Sequence, residues 1–177
     1  MAMLVKISEQ DRFSIWYSGP LKRLEQCIDH GHGAIAALMV ALPLYERWVR
    51  FRVLKGAPDN RPQIISDDLQ IGDPEKAKIF WNVFRDGLCH TGSFFEESEK
   101  AQKEGWTLPK ISLDGAHPQF PRFTKHPTTG EGIIEVNPWG LIHHILDKYE
   151  GNDELLQYEK APLLDLHYQL PATNGTL

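Results

Sequence analysis

Apolar residues fall in two rhythms along this chain, a helical one over the first hundred positions and a shorter, alternating one afterwards. Ser18-Gly19-Pro20 reads as a helix start: a serine cap, then proline where its missing N–H costs nothing. A short helix follows to about Asp29, and Gly31 and Gly33 loosen the backbone after it. A long helix is predicted over 34–54, apolar first and arginine-rich later, kinked or split at Pro43. Lys55 to Pro62 carries the breakers of a loop. The clearest start is Asp73-Pro74-Glu75: a cap, a proline at the first position, and an acid at the positive helix end. Ala77, Phe80, Phe84 and Leu88 then recur every three or four residues, with Trp81 and Val83 widening the stripe. That helix is expected to reach about Glu97, unless Gly87 or Gly92 interrupts it.

After Gly105 the rhythm changes. Thr107–Leu113, Arg122–Lys125 and Gly132–Val136 read as strands, and Gly130-Glu131-Gly132 as a hairpin turn rather than a phosphate loop. Prolines 109, 118, 121 and 127 restrict these to short or edge strands. Asn137-Pro138 caps a helix over about Trp139 to Tyr149, and the tail has room for one more. The expected fold class is mainly α: one domain over residues 1–177, a helical bundle with a small β-hairpin excursion at about 105–136, outside the helical core.

Composition narrows the classes. With 41% hydrophobic and 24% charged residues the chain is an ordinary globular one. The longest apolar run, Ala34 to Tyr45, is too short to cross a bilayer and contains Pro43, so no membrane span is expected. Met1 to Glu9 lacks the apolar core of a signal peptide, so a cytoplasmic protein is expected, and Asn174-Gly175-Thr176 then carries no meaning as a glycosylation sequon. Cys27 and Cys89 stand far apart without a CxxC or Cys/His ladder and read as free thiols. The net charge of −5 argues against broad contact with nucleic-acid phosphates. Five bases and one acid nevertheless fall between Arg47 and Arg61, a local basic face or simply a solvated helix side.

The candidate chemistry lies in Arg85-Asp86-Gly87-Leu88-Cys89-His90. This stretch resembles the motif of the HEPN superfamily (higher eukaryotes and prokaryotes nucleotide-binding), an arginine followed by a polar residue and then a histidine after four to six intervening positions. Arg85, Asp86 and His90 match it residue by residue, on a late helix as in the family. Ala41 and Glu46 look like the family's second characteristic stretch. The likeness covers residues 20–100 and extends more loosely to 150. It implies a helical bundle, a homodimer across the motif helices, and metal-independent endoribonuclease activity of the toxin or defence type, with a neutralising protein partner. Histidine suits proton transfer at a ribose 2′-OH or a leaving oxygen. A guanidinium suits the phosphate oxygens and their transition-state charge, and Asp86 can orient either partner. In an ideal α-helix, residues five apart differ by about 140° around the axis, so a second copy is expected to complete the cleft. No cofactor and no metal is expected.

Other readings stand beside this one. A non-catalytic HEPN-like module would bind a nucleotide, RNA or a protein, and the acidic charge favours it. In a helical stress or regulatory protein the motif would be coincidental, Arg85 and Asp86 a surface pair and His90 a core residue. His30-Gly31-His32 and His143-His144 lack the i,i+4 spacing of a helical zinc site, and His143 and His144 point to different helix faces. There is no Gly-x-Ser-x-Gly elbow, and Cys89 lacks a helix-start environment to activate it. The five tryptophans are expected to serve the core.

Overall fold

In the computed structural model the described residues are 8–26, 30–91, 106–111 and 120–158, without side chains at 30–32, 90, 91 and 106–111. Helix dominates. It begins earlier than the sequence indicates: Ser8, not Ser18, is the first cap, its Oγ accepting from the Asp11 amide at 3.1 Å. Helical backbone then runs through α1 (Glu9–Phe13), a π-helical turn (Ser14–Ser18) and α2 (Gly19–Gln26). Gly19 sits inside this run because a Cβ there would come within 2.8 Å of the Ser14 carbonyl oxygen.

The long helix α3 spans His30–Leu54. Pro43 does not split it, and Gly31 and Gly33 lie inside it rather than before it. Proline cannot donate to the carbonyl of Met39 four residues back. The Cys89 thiol stands 3.9 Å from that same oxygen. The predicted loop ends sooner than expected, because Asn60 caps a further helix, α4 (Arg61–Asp68), by accepting from the Gln63 amide. Pro62 is part of its first turn, where proline starts helices rather than breaking them.

Asp73 caps α5 (Pro74–Phe80) through the amides of Glu75 and Lys76, at 3.0 and 3.4 Å. The backbone then widens into a π-helix over Trp81–Thr91. Ala77, Phe80, Val83, Phe84 and Leu88 of this stripe are all buried. Residues 92–97, the expected end of the helix, lie outside the described residues.

The three strands, β1 (Trp106–Ile111), β2 (Arg122–Lys125) and β3 (Gly132–Val136), form one sheet in the order β1-β3-β2. β2 and β3 make the antiparallel hairpin, with Gly130 at φ 73° in its turn. β1 joins β3 in parallel, on an edge where Pro109 is tolerated. The hairpin falls in the latter third as expected, and Ile134 and Val136 pack with the main core. Ile134 and Val136, two positions apart, share one face of β3, and Glu135 between them is buried as well. Asn137 caps α6 (Pro138–Asp147), and Asn152 caps α7 (Asp153–Gln157).

The result is a predominantly α-helical bundle with a β-hairpin in the latter third. Its core gathers Leu38, Leu42 and Tyr45 of α3, Phe80 and Phe84, Ile142 and Ile145 of α6, and Tyr149. Tyr149 stacks on Phe13 with centroids 4.8 Å apart and donates to the Leu44 carbonyl at 2.6 Å. Arg47 of α3 donates to the carbonyls of Leu155, Leu156 and Tyr158, so a cation closes the negative end of α7. Among the described residues no helix is long and apolar enough to cross a membrane.

Candidate functional site

Arg85 leaves the π-helix and crosses to α3, where its Nη2 pairs with Glu46 Oε2. Its Nη1 donates to Asp86 Oδ1 at 2.7 Å. The other oxygen of Glu46 accepts from Arg50 Nη2 at 2.6 Å, an i,i+4 pair on α3. Two guanidiniums therefore straddle one carboxylate, with Asp86 on the outer side. The Arg85 side chain is only 17% exposed, so Arg85 and Asp86 are not a simple surface pair. Burial works against the charge of Arg85, but the hydrogen bonds and charges of Asp86 and Glu46 outweigh it and raise its pKa. The guanidinium also lies 5.9 Å from the centre of the Trp81 ring.

The sequence motif thus resolves unevenly. Arg85 and Asp86 meet, and Asp86 orients the arginine. Glu46, singled out by the resemblance alone, is the residue that anchors it. The side chain of His90 lies outside the described residues, but its backbone belongs to the π-helix. Hydrogen bonds there run from residue i to i+5, so position 90 stands about one turn beyond Arg85. The α-helical offset that called for a second copy does not apply to this segment.

Cys89 is half-buried, and burial, the largest influence, pushes its thiol pKa up, which keeps it protonated and a poor nucleophile. Cys27, His30 and His32 lie outside the described residues or side chains. His143 and His144 face different partners, as their adjacency on a helix requires: His143 Nε2 meets Glu25 at 2.7 Å and His144 Nε2 meets Asp68 at 2.9 Å. Among the described residues no three His, Cys, Asp or Glu side chains gather as a metal site would need.

Asp68 is the centre of a second cluster, which sequence reasoning did not find. Besides His144 it accepts from Tyr45 Oη at 2.7 Å and from Lys148 Nζ at 2.5 Å. Burial alone would raise its pKa; the hydrogen bonds from His144, Lys148 and Tyr45 overcome that and hold it below the ordinary value. Tyr45 is pushed well above its ordinary value, by burial first and by the Asp68 charge next, so it remains a donor. Lys148 also sits 3.9 Å over the Trp48 ring. This carboxylate, filled by three donors, ties α3, α4 and α6 together at the wall of a hollow of about 350 Å3. Its only local signal was the i,i+4 spacing of His144 and Lys148; nothing in the sequence pointed from them to Asp68.

A second hollow, of about 310 Å3, opens on the Arg85 side of α3. Arg50, Val53 and Leu54 form one wall, Asp59 and Arg61 another, and Tyr158 a third. It falls within the basic stretch noted between Arg47 and Arg61. No family model matches the sequence, and no curated protein or solved structure matches it either.

Proposed function

We propose that this chain is a HEPN-like helical domain that cleaves RNA without a metal, with Arg85 and His90 as catalytic residues and Asp86 as the arginine's positioning group. The observation that carries the reading is the fixing of Arg85 by Glu46 and Asp86 in a segment whose pitch sets position 90 one turn away. A guanidinium held in this way is poised to take phosphate oxygens and the charge that grows on them. The histidine accepts the proton of the ribose 2′-OH as that oxygen attacks phosphorus. The P–O5′ bond breaks, leaving a 2′,3′-cyclic phosphate, and the departing 5′-oxygen takes a proton from solvent to become the 5′-OH, while the histidine returns its own to solvent. The resemblance implies a toxin or defence factor that acts as a homodimer and is restrained by a neutralising protein, and a cytoplasmic location goes with this reading.

One observation favours the non-catalytic alternative, a module that binds RNA, a nucleotide or a protein. Arg85 already faces two carboxylates, so a phosphate has to displace one of them or share the guanidinium. Incubating wild-type protein, Arg85→Ala and His90→Ala with diverse RNAs in EDTA separates the two readings. Cyclic-phosphate products from wild type alone support the nuclease; RNA left intact by folded wild-type protein sinks it.

A further inference from the structure

We propose that the 310 Å3 hollow beside Arg50 is a docking site for a nucleotide of single-stranded RNA, next to the phosphate that Arg85 would hold. The inference rests on the nuclease reading for its orientation, but not for its existence. Glu46 makes the connection: one oxygen is taken by Arg85 and the other by Arg50, whose side chain also lines the hollow. Arg61 stands on another wall, and among the described residues it has no ion-pair partner. Three guanidiniums therefore follow one another from the motif into the hollow, the arrangement that a run of phosphates requires. Arg61 also opens α4, whose positive end adds to its charge. Asp59 is the single carboxylate among the lining residues, against Arg61 and against Arg50, which Glu46 also pairs.

The remaining wall suits a base. Tyr158 is half-buried, its ring held edge-on to Phe51 with centroids 5.5 Å apart and its carbonyl gripped by Arg47. Leu54 is 64% exposed, the most exposed large apolar side chain among the described residues, and it lines the same hollow as Tyr158. An aromatic ring and an aliphatic side chain beside arginines match an unstacked base with its phosphate. A duplex keeps its bases stacked and cannot offer one. The volume lies at the lower end for small-ligand clefts, which limits the hollow to one nucleotide.

The test is fluorescence anisotropy with a labelled 2′-O-methyl RNA octamer, which lacks the attacking hydroxyl and survives intact. Wild type should bind the single strand at least about fivefold more tightly than the matching duplex. Tyr158→Ala should weaken binding by about fivefold or more. Arg61→Ala should lower the slope of log affinity against log salt by about 0.7, the loss of one phosphate contact. Arg61 is exposed, so its variant decides the matter if Tyr158→Ala melts early. Absence of binding, equal binding of the duplex, or wild-type behaviour of both variants overturns the proposal. Octamer binding through these residues with unmodified RNA left uncut would fail the nuclease reading and keep the dock. RNA cut at the wild-type rate by both variants would do the reverse.

Discussion

Glu46 and Arg85, 39 residues apart in sequence, meet as an ion pair that joins the middle of the long helix to the motif helix. Both side chains are less than one-fifth exposed. Removing the acid would take away the carboxylate that Arg85 and Arg50 share and leave Asp86 beside Arg85. Breaking such a pair is costly because the remaining charge keeps its desolvation penalty.

Glu46→Ala should therefore destabilise the fold by about 2 kcal/mol. For a domain of this size that is a fall in melting temperature of about 4–8 °C. Glu46→Gln, which keeps an acceptor oxygen, should lose less. A melting temperature equal to wild type for Glu46→Ala would show the pair to be energetically idle.

The proposed chemistry sets a magnitude for the motif variants. Arg85→Ala and His90→Ala should each reduce RNA cleavage in EDTA by about 10²-fold or more. Arg85→Lys should also fail, since an ammonium cannot hold Glu46, Asp86 and a phosphate with the geometry of a guanidinium. His90→Ala should fold with an unchanged melting temperature if the ring faces a cleft. Intact RNA with wild type, together with a destabilised His90→Ala, would leave the histidine as a packing residue.

The Asp68 cluster makes stability depend on pH, with a definite sign. The folded-state pKa is below the ordinary 3.8, so the carboxylate contributes stability above that value. The contribution is lost as pH falls from 3.8 through the folded-state pKa. Asp68→Asn should remove this component and cost about 2 kcal/mol near neutrality, where Lys148 and His144 lose their acceptor charge. Urea unfolding of both proteins at pH 7 and pH 3 checks it: the gap should be narrower at the second than at the first. A gap independent of pH would show that the charge of Asp68 is not what the cluster uses.

Association with a second copy is the remaining expectation. The π pitch removes the geometric need for it, but α3 exposes Ile35, Met39 and Val40, and Met39 adjoins Cys89 of the motif helix. Light scattering at micromolar concentration should give a dimer, and Met39→Glu should give a monomer with unchanged circular dichroism. A monomeric wild type would restrict any site to one chain.

Local chemistry was legible in the sequence and long-range chemistry was not. Asp73-Pro74 and Asn137-Pro138 announce helices because a cap and its amides lie within three residues. The stripe from Ala77 to Leu88 is buried as its period requires. Arg122–Lys125 and Gly132–Val136 have the predicted bounds, whereas the parallel pairing of β1 with β3 follows from tertiary placement. α4 went unread because Pro62 looks like a breaker until Asn60 is seen as its cap. Glu46 and Arg50 could be paired on spacing alone, but 76 residues separate Asp68 from His144, and no local pattern spans that gap. The π-helix had no sequence signal at all.

Pitch is where this chain stores what amounts to an insertion. An α-helix that takes in one residue without looping it out becomes, locally, a π-helix. Removing Gly87 would put the arginine and histidine four positions apart. Four apart on an α-helix and five apart on a π-helix point the same way. A count of residues between arginine and histidine is thus not yet an angle, and relatives differing by one residue in that count can present the same pair to the same cleft.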